Sequence, residues 1–263
     1  MSLNNSGNRV VIITGLSQGI GQSIAKDFAT SGFNVLVNSS DEQELKKIVS
    51  DLSNLVDNNN HISYLVGDIS EKGFADTLIE EAIKKWGRID VLINNAGLAL
   101  GRDLFQDADL SDWNTMIDTN LKGLLYVSKA VVPFMMKRKK GHIINLGSTA
   151  AKDPYQGGNV YCASKAAVDS VSKCMRMDLL SYHIKVTAIH PGAAETEFAL
   201  VRFKGEETTA KKVYEGFHPL SAEDVADIIF YTASLPEHVC INDLVITCTQ
   251  QANNHLFDKS GYL

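Results

Sequence analysis

What this chain of 263 residues lacks already narrows its class. No apolar run reaches the ~18 residues of a membrane-spanning helix, so no membrane partner is expected. Residues 1–8 are polar, without the hydrophobic stretch of a signal peptide, and read as a flexible lead. Positive charge is not in excess. The 25 Lys and Arg against 31 Asp and Glu leave a formal charge of −6, which argues against a nucleic-acid surface. The four cysteines, Cys162, Cys174, Cys240 and Cys248, show no Cys-x-x-Cys spacing and no histidine ladder. Neither a zinc site nor a disulfide framework is expected, no metal is assigned, and free thiols fit a reducing, cytoplasmic setting. His142, His190 and His218 lack ligand spacing and read as structural. Linkers, repeats and low-complexity segments are missing too, so residues 1–263 read as one domain.

What is present is an alternation. Residues 9–14, 33–38, 61–67, 89–93, 142–146, 184–190 and 244–247 are short apolar runs that read as strands. Between them lie stretches of helical periodicity. Residues 19–31 stop at Gly32, a second helix starts at Asp41 and runs through Leu55, and residues 74–86 end near Gly87. Residues 118–137 form a long helix that Pro133 should kink or weaken, followed by helices at 158–181 and at 221–234, the last capped by Ser221. The cluster at 57–60 reads as a loop. Continuous apolar strands separated by helices imply a parallel sheet covered on both faces, an α/β doubly wound (Rossmann) fold.

Two stretches carry chemistry. The first is the turn Thr14-Gly15-Leu16-Ser17-Gln18-Gly19-Ile20-Gly21 between the first strand and helix. Glycines there let the backbone approach a pyrophosphate, and the helix N-terminus offers free N–H groups. Asp68 ends the third strand within reach of an adenine. Asn94-Asn95-Ala96-Gly97 ends the fourth, where a bland reading has the asparagines bonding local backbone. The second stretch is Gly147-Ser148-Thr149 with Tyr161 and Lys165 following. Positions i and i+4 share a helix face, so the Lys165 ammonium can sit beside the Tyr161 phenol and favour its ionised form. With the Ser148 hydroxyl nearby, the group reads as a proton-transfer site for an alcohol or carbonyl. Cys162, beside Tyr161, reads as a small packing residue.

In their order, these residues resemble the short-chain dehydrogenase/reductase family over nearly the whole chain. The likeness runs from the glycine turn through Asn94 to Gly97, Asn120, Ser148, Tyr161 and Lys165 to Pro191-Gly192. It implies that Tyr161 is the proton donor or acceptor and that Ser148 orients the substrate oxygen. Lys165 binds the nicotinamide ribose and lowers the tyrosine pKa, and Asn120 holds a water on a proton path. Cofactor contacts are implied for Gly15, Ser17, Gln18, Gly19, Ile20 and Gly21, for Ser39 and Ser40, and for Asp68 and Ile69. They are implied further for Asn95, Ala96, Gly97, Tyr161, Lys165, Pro191, Gly192 and Thr196. NADP or NAD is decided after the second strand, where an acid would bond the ribose 2′-hydroxyl and an arginine would accept a 2′-phosphate. Ser39 and Ser40 stand there instead, so neither decisive residue is present, and Asp41 lies close.

A narrower likeness, to NADP-dependent 3-hydroxy acid dehydrogenases acting on serine-type substrates, rests on NNAGLALG, GHIINLGSTA and the Thr-Glu-Phe…Val-Arg-Phe-Lys-Gly block in residues 196–205. That likeness tips the cofactor toward NADP, with NAD the alternative. Residues 193–217 read as the substrate loop. Arg202 is the first choice to hold a small acid's carboxylate and Lys204 the second, against a reading of both as solvated charges. Tyr155 joins Ser148, Tyr161 and Arg202 as a candidate substrate contact. The charges Lys152 and Asp153 depart from the branch. The run Lys137-Arg138-Lys139-Lys140 reads either as a dock for an acidic carrier protein or as a solvated helix end. Residues 251–263 carry no readable chemistry, and the family likeness implies that they help pack a homo-tetramer or homo-dimer. The rivals are a reductase of other carbonyls, such as 3-oxoacyl groups, and a nucleotide-sensing protein without turnover.

Overall fold

The computed structural model describes residues 9–17, 19–56 and 61–261. The expectations for residues 1–8, Gln18, residues 57–60 and the last two residues of the tail lie outside these. Strands β1 (Val10–Ile13), β2 (Asn34–Ser39), β3 (Ile62–Val66), β4 (Val91–Asn94), β5 (Gly141–Leu146), β6 (Ile184–Pro191) and β7 (Asp243–Ile246) form one sheet. Its order is β3-β2-β1-β4-β5-β6-β7, with every neighbouring pair parallel. The chain first winds outward from β1 to β3, then crosses back to β4 and winds the other way. That reversal opens a crevice at the carboxyl ends of β1 and β4.

Burial on both faces explains the unbroken apolar strands. Val11 and Ile13 pack with Ile24 and Phe28 of α1 (Ile20–Thr30) and Ile229 of α9 (Ala222–Ser234). Ile12, between them, faces Leu78 of α3 (Phe74–Trp86) and Val131 of α5 (Leu124–Arg138) on the other side. Asp41 caps α2 (Glu42–Ser53) by accepting from Glu44 N–H, and Ser221 forms a reciprocal capping box with Asp224 on α9. The remaining helices are α4 (Leu110–Ile117), α6 (Asn159–Asp178), α7 (Phe198–Arg202) and α8 (Glu207–Lys212).

Three expectations change. The helix expected over residues 118–137 begins earlier, as α4, and passes through a π-helical turn at Asp118–Gly123 into α5. The irregularity is that turn, not Pro133. Pro133 and Lys129, whose carbonyl a proline cannot bond, are both exposed, so water can satisfy the carbonyl and α5 runs on to Arg138. The substrate loop is not all loop either, since α7 and α8 lie within it. Both are shorter than two turns, too short for periodicity to reveal.

Candidate active site

The carboxyl edge of the sheet opens on a cavity of about 900 Å³. At one end, Gly15 has φ +70°, and a Cβ on it would lie 2.4 Å from Ala96 Cα. A Cβ on Gly21 would meet Gly15 O at 2.8 Å. Asn95 Nδ2 donates to Thr14 O and Gly15 O at 3.1 and 2.7 Å, and Ala96 N–H donates to Thr14 Oγ1 at 3.2 Å. The bland reading of the asparagines as local turn formers is therefore corrected. Asn95 bonds backbone some eighty residues away, and buried Asn94 donates to Ser128 and Asn145. This packing holds the turn against the next strand's end. It leaves the N-terminus of α1, whose cap residue Gly19 has no side chain to bond it, at the cavity wall. A close-packed glycine turn leading into a helix N-terminus fits a pyrophosphate.

Ser17, Ile20, Ser39, Ser40, Asp68, Ile69 and Gly97 line the same cavity, as do Pro191, Gly192 and Thr196. Gly19 lies beneath Thr196, whose Cβ a Gly19 Cβ would approach to 3.2 Å. At the end of β2 the nearest acid, Asp41, spends its carboxylate on capping α2.

At the other end, Ser148, Tyr155, Tyr161, Lys165 and Arg202 share the wall. Ser148 Oγ accepts from Ala150 N–H at 3.1 Å, and its hydroxyl is near enough to the Tyr161 phenol to pull the phenol's pKa down. Lys165, one turn along α6, is buried and donates to Leu146 O at 2.9 Å. A Cβ on Gly97 would lie 3.1 Å from Lys165 Nζ and 3.3 Å from Asn120 Oδ1, so these groups converge behind that glycine. Asn120 is not on the wall. It is buried in the π-helical turn, pinned by Leu98 N–H and O and by Ser164 Oγ. Such turns recur at functional positions.

Burial dominates the electrostatics of the Tyr161 and Lys165 pair. Burial pushes the Tyr161 phenol up, and the nearby Tyr155 adds to this, against weaker opposition from Ser148 and Arg202. Burial also drops Lys165 to about 8. Arg202 donates from Nε to Gly101 O at 3.2 Å and from one terminal nitrogen to the Tyr155 hydroxyl at 2.7 Å. Its guanidinium stands 5.7 Å from the Tyr161 ring centroid, and its other terminal nitrogen is buried with no partner among the described residues. Lys204 is drawn away into an ion pair with Asp112 at 2.8 Å.

Other charged stretches resolve differently. In the basic run, Arg138 binds Asp90 and Ile89 O, and Lys140 pairs with Glu237. Asp90 precedes β4 and Lys140 precedes β5, so the run sits at the sheet edge opposite the cavity and cannot present a carrier-bound group to it. Lys152 bridges Asp169 and Asp243 at 2.9 and 2.6 Å. Asp169, His190 and Asp243 bring three ligand atoms within 4.8 Å of one another, but the Lys152 ammonium already stands between the carboxylates.

The tail was missed. Asn254, His255, Phe257 and Lys259 line the cavity. Thr149 Oγ1 donates to Asn254 Oδ1 at 2.7 Å, and Asn254 N–H donates to Asp153 at 3.0 Å. Asp153, which departs from the branch pattern, is the residue that anchors the tail. Arg102, also unforeseen, stands on the wall with its guanidinium 5.6 Å from the Tyr155 ring centroid. No periodic signal marks either stretch.

A model of the short chain dehydrogenase family matches residues 9–207. The chain belongs to that family. It is 42% identical over 244 residues to a protein of Chromohalobacter salexigens named sulfoacetaldehyde reductase 2, covering 92% of this chain and 95% of the relative. It is 41% identical over 236 residues to the NADP-dependent 3-hydroxy acid dehydrogenase of Escherichia coli, covering 89% and 93%. Among solved structures, the closed form of a serine dehydrogenase complexed with NADP+ superposes with a TM-score of 0.85 at 39% identity, covering 94% of this chain and 98% of the other. Family membership makes the chain an oxidoreductase. Among the described residues, no helix is long and apolar enough to cross a membrane.

Proposed function

We propose that this oxidoreductase uses NADP(H) to interconvert a small 3-hydroxy acid and its 3-oxo acid. One observation carries the reading: the unpartnered terminal nitrogen of Arg202, buried beside the Tyr161 ring. A guanidinium donor with nothing to bond is an unmet demand that an anionic substrate group meets. Two relatives named for acidic substrates, one a hydroxy acid and one a sulfonated aldehyde, support an anion at this position.

The glycine turn and the α1 N-terminus hold the pyrophosphate, with Asn95, Ala96, Gly97, Pro191, Gly192 and Thr196 along the nicotinamide side. NADP is favoured over NAD by the names of the relatives, and the small Ser39 and Ser40 at the end of β2 leave room for a 2′-phosphate, with Asp41 and Glu44 also on the cavity wall. Bound there, the dinucleotide gives or takes the hydride.

Ser148 donates a hydrogen bond to the substrate oxygen, and Tyr161 gives that oxygen a proton in reduction or takes one in oxidation. The phenol, pushed up by burial, is held protonated and is a weaker acid than a free tyrosine, so it gives up its proton only with help from nearby cations. Working as a base, it needs cationic support from Lys165 and Arg202. Asn120 holds the turn through which the proton is replaced. Arg202 fixes the acid group and Tyr155 orients Arg202, so residues 193–217 act as the substrate loop. Exposed Leu110, Leu125 and Tyr126 on α4 and α5 support self-association as a homo-tetramer or homo-dimer, and a cytoplasmic setting completes the reading.

The test follows absorbance at 340 nm with NADP or NAD against L-serine, L-allo-threonine, 3-hydroxypropionate and neutral alcohols. Turnover with NADP on an acid is expected. Turnover with NAD alone overturns the cofactor assignment, and activity confined to neutral carbonyls overturns the substrate.

A further inference from the structure

His190 lies fully buried at the end of β6, one residue before Pro191-Gly192, and the proposed chemistry leaves it without a role. Its ring lies on the Ser148 turn, where a Cβ on Gly147 would come within 2.3 Å of Nδ1. Nδ1 stands 3.3 Å from Ser148 N and 3.2 Å from Ser148 O. Only one of these contacts is a hydrogen bond at a time, and the tautomer decides which. Nε2 settles it. It faces Asp243 at 3.3 Å and Asp169 at 3.7 Å without hydrogen-bond geometry to either, and the two carboxylates favour a proton on Nε2, which leaves Nδ1 to accept from Ser148 N–H.

The carboxylates are themselves held. Lys152, four residues beyond Ser148, binds both, and Lys173 binds Asp169 at 3.0 Å. Burial, then the charge of Lys152, lowers the His190 pKa against the pull of Asp243, Asp169 and the Ser148 backbone, a direction that favours the neutral ring. Asp169 also extends the stripe Tyr161, Lys165, Asp169, at four-residue steps on one face of α6. That face thus meets the end of β5 and the segment after it three times. Tyr161 meets Ser148, Lys165 meets Leu146 O, and Asp169 meets Lys152 and approaches His190.

We infer that His190, oriented by Asp243 and Asp169, is a positioning residue that fixes the Ser148 backbone and so aims the Ser148 hydroxyl at Tyr161 and the substrate oxygen. This rests on the reading of Ser148 above. A misplaced serine weakens its hydrogen bond in the transition state more than it weakens cofactor binding, so the loss falls on kcat.

The experiment compares His190→Asn with His190→Gln in the full chain, measuring kcat, KM for NADP(H) and thermal stability, each also in a Ser148→Ala background. Asparagine puts a carbonyl oxygen near the place of Nδ1 and keeps the bond from Ser148 N–H. Glutamine reaches the place of Nε2 and loses it. The expected result is a kcat roughly tenfold or more lower for His190→Gln than for His190→Asn, with KM for NADP(H) unchanged and the difference absent once Ser148 is alanine. Equal kcat in the two variants overturns the inference. So does a loss that tracks thermal stability, or one that persists in the Ser148→Ala background. If Ser148→Ala alone leaves kcat intact, the reading of Ser148 fails instead, whichever way the histidine variants behave.

Discussion

Replacing Arg202 by methionine keeps a long flexible side chain and removes the guanidinium. In the free protein this deletes the bonds to Gly101 O and the Tyr155 hydroxyl. Each such bond contributes ~1 kcal/mol net, and the Tyr155 phenol left behind lines the cavity, so stability should fall by only about 1–2 kcal/mol. The bound acid loses far more. Removing one member of a desolvated, hydrogen-bonded charge pair costs about 2–5 kcal/mol, and each 1.4 kcal/mol is tenfold. For a carboxylate substrate, kcat/KM should therefore drop by roughly 30-fold to several thousandfold. A neutral alcohol never used the charge and should lose less than about threefold. Arg202→Lys keeps the charge without the planar fork and should fall between. The assay is steady-state absorbance at 340 nm with the acid and neutral substrates side by side. If Arg202→Met leaves the acid's kcat/KM within twofold, or lowers acid and neutral substrates alike, the guanidinium does not bind the anion.

Three further outcomes follow from the geometry. Tyr161→Phe keeps the ring and removes the only proton donor proposed at the reacting oxygen, so turnover should fall by about 10²–10⁴ while NADPH fluorescence titration still reports binding. Unchanged turnover would remove Tyr161 from the chemistry, and no turnover in the parent with cofactor binding intact would revive the nucleotide-sensing rival. Lys165 has its pKa lowered from 10.5 to about 8 by burial in the cofactor-free fold, which penalises its charged form. Below about pH 8 the penalty is complete; between about 8 and 10.5 the unfolded chain binds the extra proton, so stability gains as pH rises. The parent should thus gain on Lys165→Met by up to about 3 kcal/mol across that window in urea titrations, and a flat difference would refute the buried charge. Asp90, at the far edge of the sheet, takes both Arg88 and Arg138 as well as Val10 N–H. Asp90→Ala strands two guanidiniums and should cost roughly 3–5 kcal/mol in denaturant unfolding, with KM in the folded fraction unchanged. A loss below about 1 kcal/mol would show that water satisfies the arginines.

The distance over which residues act separates what was legible in the sequence from what was not. Strands such as Val10–Ile13 announced themselves because burial on both faces demands unbroken apolar residues, and Gly15 and Gly21 because only glycine fits their contacts. Tyr161 and Lys165 were legible as a pair because a helix enforces their adjacency. The misses are the groups whose meaning depends on partners far along the chain. Asp169 stands one more step along the same stripe, yet nothing local says that it meets Lys152 and approaches His190. Asp153 read as a departure from pattern because its partner, Asn254, is 101 residues away. The same distance bears on Lys165. Spacing put an ammonium near the phenol, but how deeply the fold buries both groups decides their pKa values, and burial is a property of the whole sheet edge. Charged residues that break a family pattern beside a legible motif, as Lys152 and Asp153 do, are therefore the places to look for long-range anchors. Here both serve that purpose, one holding the carboxylates that face His190 and the other the tail that lines the cavity.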